Sequence, residues 1–119
     1  MIEKLAYLRP DAILALDDEL VRKTLKDYVR IAKAELPARF LVCKSIEFEP
    51  KSLSLEEAWK EHRKLVRKFK TTWKKISKGK LRYEELEKPR HSLLDLKIFI
   101  AMELLKNCCL CEHRCNVNR

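Results

Sequence analysis

Residues 108–115 read Cys108-Cys109-Leu110-Cys111-Glu112-His113-Arg114-Cys115, so four of the chain's five cysteines fall within eight positions. Cys108 and Cys111 are separated by two residues, the spacing at which a tight turn aims two thiolates at one metal. Cys115 follows after three intervening residues and can close on the same centre. Thiolate ligands select zinc or an iron–sulfur cluster over hard cations. The basic neighbours His113, Arg114 and Arg119 would lower the cysteine pKa values and offset the negative charge of such a site. Type and spacing together assign Cys108, Cys111 and Cys115 as metal ligands.

Simpler assignments fail on particular residues. A c-type haem needs histidine directly after the second cysteine of the pair, and Glu112 stands there. A closed zinc site needs four ligands, and the segment supplies three that are well spaced. His113 or Cys109 could serve as the fourth only if the backbone folded back sharply, so a ligand from beyond Arg119 is the more natural expectation. Cys43 is distant and reads as a core thiol. Buried free cysteines at a helix end would not be packed at this density among charges.

Something must hold this segment, and helical periodicity dominates the chain before it. Pro10 suits a first helical turn, and Ile13, Leu16, Leu20, Val21, Leu25, Tyr28, Val29, Ala32 and Leu36 recur mostly at intervals of three and four. Asp17-Asp18-Glu19 can split this stretch into a short helix and a longer one, and Pro37 closes it. Residues 39–49 hold a short apolar run followed by the alternation Ile46-Glu47-Phe48-Glu49. With no second strand to pair with, they are expected to form a connector packed on the core. Ser54-Leu55-Glu56-Glu57 is a capping box. It opens an amphipathic helix with Leu55, Trp59, His62, Val66, Phe69, Trp73 and Ile76 on one stripe, where both tryptophans read as core anchors and Gly79 as the stop. Ser92-Leu93-Leu94-Asp95 is a second cap. The helix from Leu93 to Leu105 is apolar almost all round, as a central buried helix would be. The expectation is an all-α protein: a small helical bundle over 1–106 with a C-terminal cysteine-rich metal-binding segment at 107–119.

Composition narrows the function. At 119 residues and 46% apolar content the chain supports one core. A single glycine, Gly79, excludes Gly-rich phosphate loops. The longest apolar run, from Ile98 to Met102, is far short of the roughly 18 residues of a membrane span. Met1-Ile2-Glu3-Lys4 does not open a signal peptide. A soluble, cytoplasmic protein is expected, with its cysteines reduced. The net charge is +9, concentrated between Lys60 and Arg82, where eleven basic residues face one acid, Glu61. Such a stripe can meet nucleic-acid phosphates, but without aromatic platforms it reads better as a solvated helix face.

From Ser92 onward the sequence resembles a known family. Ser92-Leu93-Leu94-Asp95-Leu96-Lys97-Ile98, then Asn107-Cys108, Leu110-Cys111, Arg114-Cys115 and Val117-Asn118-Arg119, are similar to archaeal radical SAM proteins related to pyruvate formate-lyase activating enzyme. The likeness spans 28 residues, and the capped helix at 54–77 is compatible with the same family's N-terminal region. In that family the segment precedes the catalytic barrel, and a further cysteine follows the Val-Asn-Arg. The resemblance implies an accessory domain whose parent enzyme cleaves S-adenosylmethionine (SAM) with a [4Fe–4S] cluster and abstracts hydrogen from a substrate such as a glycyl-radical partner. SAM and that cluster would then belong to a C-terminal barrel, in the same protein or as a partner chain. The order Cys108-x2-Cys111-x3-Cys115 is the reverse of the Cys-x3-Cys-x2-Cys loop that binds SAM, so these cysteines form an auxiliary site, and no βα repeats are present to build a barrel. Cys109 is extra to the family pattern. The chain reads as an N-terminal fragment or a split-gene product, with no catalytic residue of its own. The alternatives are a free-standing zinc or iron–sulfur protein-interaction module and a basic helical nucleic-acid-binding domain.

Overall fold

The computed structural model describes residues 7–119. Their regular elements are helices, with one isolated bridge between Glu47 and Ser92. The chain divides into two compact units between Ala38 and Arg39, and residues 107–119 fall in the second.

In the first unit, α1 (Pro10–Asp17) starts on Pro10 and stops at Asp18, whose extended backbone begins the next helix. The Asp18 carboxylate accepts from the Val21 amide at 3.0 Å and caps α2 (Glu19–Thr24). The acid cluster therefore splits the helical stretch as expected. A second break, not anticipated, falls at Leu25 (φ −111°, ψ 41°), before α3 (Lys26–Ala32). That helix ends four residues short of Leu36. Ala34 takes a left-handed φ of 59°, and the amides of Ala34 and Glu35 return to the carbonyls of Ile31 and Arg30. Asp17 is paired with Arg22 and, at 3.2 Å, with Lys33, which ties α1 to α2 and to the residue that follows α3.

In the second unit, residues 39–49 pack on the core as expected of the connector, through Cys43 and Ile46, but carry more regular structure than a connector implies. Arg39–Cys43 form a single helical turn, α4, which points Val42 and Cys43 inward. The extended piece after it does have a partner. Phe48 donates to the His91 carbonyl at 3.1 Å, and Leu93 donates to the Ile46 carbonyl at 2.8 Å. That partner is the extended backbone of a helix cap, which no strand pattern in the sequence marks.

The long helix α5 (Leu55–Ser77) opens on the expected capping box. Ser54 N–H donates to Glu57 at 2.8 Å, and Glu57 N–H donates to Ser54 Oγ at 3.3 Å. Gly79, at φ 69°, closes it, with Lys80 N–H returning to the Lys75 carbonyl. A 3-10 turn, Tyr83–Glu85, leads to α6 (Leu93–Leu105). There both the amide and the hydroxyl of Ser92 donate to Asp95 Oδ2, at 2.7 and 2.9 Å.

α5 and α6 pack on one another over a core of Ala58, Leu65, Leu93, Leu96 and Ile100, closed by Cys43 and Ile46. The buried stripe of α5 keeps Trp73 and Ile76 as expected, with Leu55, Val66 and Phe69 half-buried against the core, but its first half is shifted by one position. Ala58 and Leu65 are interior, whereas Trp59 is 36% exposed and only Trp73 is a buried tryptophan. The expectation that α6 is buried on all sides is corrected as well. Leu93, Leu96 and Ile100 are interior, but Ile98 and Met102 are 55% and 59% exposed. Two neighbouring helices, α4 and α5, can cover only one side of it.

Candidate metal centre

The cysteine segment hangs from the C-terminal end of α6 and folds back on itself. Cys108 N–H donates to the Val117 carbonyl at 3.1 Å, and Asn116 N–H donates to the Cys108 carbonyl at 2.9 Å. Arg119 N–H donates to the Leu105 carbonyl at 3.1 Å, satisfying one of the carbonyls left free at the helix end. A turn closed by Arg114 N–H on the Cys111 carbonyl lies between these ties. Reversal is achieved at two left-handed residues, Arg114 (φ 39°) and Asn116 (φ 52°). Asparagine tolerates that region far better than most side chains, so Asn116 is the hinge the sequence had to offer in the absence of glycine.

This fold-back brings two of the three assigned cysteines together. Cys108 lies close enough to Cys115 to help lower the pKa of its thiol. The Arg119 guanidinium donates to Cys115 Sγ at 3.5 Å and also interacts with Cys108. The Cys115 pKa is held below the usual thiol range, first by that guanidinium and then by backbone donors and Cys108. Cys108 is buried, while Cys109, Cys111 and Cys115 are exposed. Cys111 is the first residue of the turn that Arg114 closes. Among the described residues no three His, Cys, Asp or Glu side chains already stand in a metal-holding group. Of the expected basic neighbours, Arg119 reaches the sulfurs; His113 and Arg114 are not among the causes of the Cys115 shift. Cys43 sits in the core, where burial pushes its thiol pKa up. The donor set suits a thiophilic metal, with Cys108 and Cys115 adjacent and Cys111 carried on the same exposed loop.

The basic stripe lies along the solvent side of α5. Lys60 and Lys64 pair with Glu56 and Glu61 at 3.3 and 3.5 Å, and Arg67, Lys68, Lys70, Lys74 and Lys75 are exposed. Among the described residues no helix is long and apolar enough to cross a membrane.

No family model matches the chain, and no solved structure matches it. Over 93 residues it is 41% identical to a protein of Methanocaldococcus jannaschii described as uncharacterized. The match covers 77% of this chain and 25% of that protein, so the chain spans about a quarter of the length of the curated relative it matches.

Proposed function

We propose that the chain is an accessory helical domain that presents Cys108, Cys111 and Cys115 as ligands of an auxiliary zinc or iron–sulfur site. In this reading it serves a larger enzyme resembling the radical SAM proteins related to pyruvate formate-lyase activating enzyme. What carries the metal-site reading is the reciprocal backbone pairing of Cys108 with Asn116 and Val117, which brings Cys108 and Cys115 to the same guanidinium, that of Arg119. The paired backbone bonds between Cys108 and residues 116 and 117 join the two ends of the loop, while Cys111 stays exposed. The match to a protein about three times as long supports a role as one part of a larger arrangement. A bound cluster or zinc ion would supply charge and a rigid cross-link to the loop. The chain's own residues would position the thiolates and balance their charge through Arg119.

The test is metal content after anaerobic purification. Wild type is expected to hold iron or zinc in stoichiometric amount, and Cys111→Ser and Cys115→Ser to lose most of it. Cys43→Ser is expected to retain it. If Cys111→Ser and Cys115→Ser bind as much metal as wild type, the site assignment is wrong. A visible charge-transfer band separates a cluster from zinc. The enzyme reading is tested separately by sequencing the coding region downstream of Arg119 for Cys-x3-Cys-x2-Cys.

A further inference from the structure

Away from the cysteine loop, α4, the middle of α5 and the first turn of α6 diverge around a groove of about 520 Å³. Small-molecule sites are typically on the order of 300–1,000 Å³. Its α5 wall is built from Val66, Phe69 and Trp73, with the last two rings stacked at 6.1 Å between centroids and 16° between planes. Leu93 and Leu94 form the opposite wall, and Phe40 and Cys43 close one end. This floor carries no charge: burial holds the Cys43 thiol protonated.

The rim is different. Arg39, Lys70 and Lys97 line it, and no aspartate or glutamate does. Arg39 lies over the Trp73 ring, 5.1 Å from its centroid. Lys97 Nζ lies 2.9 Å from His62 Nε2. Burial and the nearby Lys97 and Arg63 charges hold that imidazole neutral, so it accepts from Lys97 without cancelling its charge. The groove therefore joins an aromatic, apolar floor to a rim of three like charges. Cations gathered beside a low-dielectric surface repel one another, and an anion placed among them relieves that repulsion more strongly than it would in open solvent. A cationic ligand is rejected on charge, and a neutral one gains only contact with the floor.

We propose that this groove is a binding site for a small organic anion with an aromatic or aliphatic body. The body lies against Phe69, Trp73 and Leu93, and the acid group meets Lys70, Lys97 and Arg39. The site is independent of the metal reading, since it shares no residue with the cysteine loop.

Trp73 provides the signal. In a Trp59→Phe background the full chain is titrated with 8-anilinonaphthalene-1-sulfonate and, separately, with N-phenyl-1-naphthylamine, which has the same apolar body and no charge. The anionic dye is expected to quench Trp73 saturably at one site and to bind more tightly than the neutral one. Lys70→Glu, at an exposed position, should weaken the anion by about fivefold or more while leaving the neutral dye within about twofold. Lys97→Met should act in the same direction. Equal affinity for the two dyes, anion binding unaffected by Lys70→Glu, or the absence of saturable quenching would each overturn the proposal.

Discussion

At the scale of single residues, His62 is a side chain whose charge folding restrains. It is half-buried, its ring meets Trp59 edge-on at 5.3 Å, and Lys97 and Arg63 lie close. Burial and those two cations hold its pKa below the ordinary value of 6.5. The unfolded chain therefore takes up the proton before the folded one as pH falls. The neutral ring's contribution is fully present above the unfolded pKa and is lost on acidification toward the folded one. The melting temperature of wild type should fall between about pH 8 and about pH 5, and His62→Gln should flatten that slope. A slope unchanged in His62→Gln would assign the effect elsewhere. Glu57 and Asp95, whose pKa values are lowered by their cap hydrogen bonds, act with the same sign but only in the carboxylate range.

At the scale of elements, α6 shows what a sequence does and does not disclose. Its start was legible from Ser92 and Asp95, and its length from the apolar run. Its burial was not, because an all-apolar helix carries no phase: nothing in Leu93–Leu105 says which side meets α5. Leu96, fully buried, should lose about 2–5 kcal/mol on substitution by alanine, read from urea denaturation. Ile98→Gln, on the open side, should stay within about 0.5 kcal/mol of wild type. Equal costs for the two would refute the assigned face. The second half of α5 was legible in Trp73 and Ile76, but its first half was not, because Trp59 makes as plausible a core anchor as Ala58 or Leu65 and alanine carries little hydrophobic signal. The cysteine motif was legible as chemistry, since spacing alone marks it. The clasp through Asn116, Val117 and Arg119 was not, because it consists of backbone hydrogen bonds, to which side-chain identity contributes little beyond Asn116's tolerance of a left-handed φ.

At the scale of the whole molecule, every residue of the α5–α6 core comes from the second unit. A chain of residues 39–119 is thus expected to unfold in a single cooperative transition by circular dichroism, without residues 1–38. A broad, non-cooperative transition would show that the first unit is needed for that core. The open side of α6 has a consequence for how many molecules behave together. Ile98 and Met102, one helical turn apart, leave apolar surface in water, while a net charge of +9 keeps copies of the chain apart. Salt weakens the repulsion and leaves the apolar attraction nearly untouched. The protein should therefore be colloidally stable at low ionic strength and associate as salt is added, the reverse of an assembly held by ion pairs. Sedimentation velocity across a salt series reads this directly, and Met102→Lys should abolish the trend.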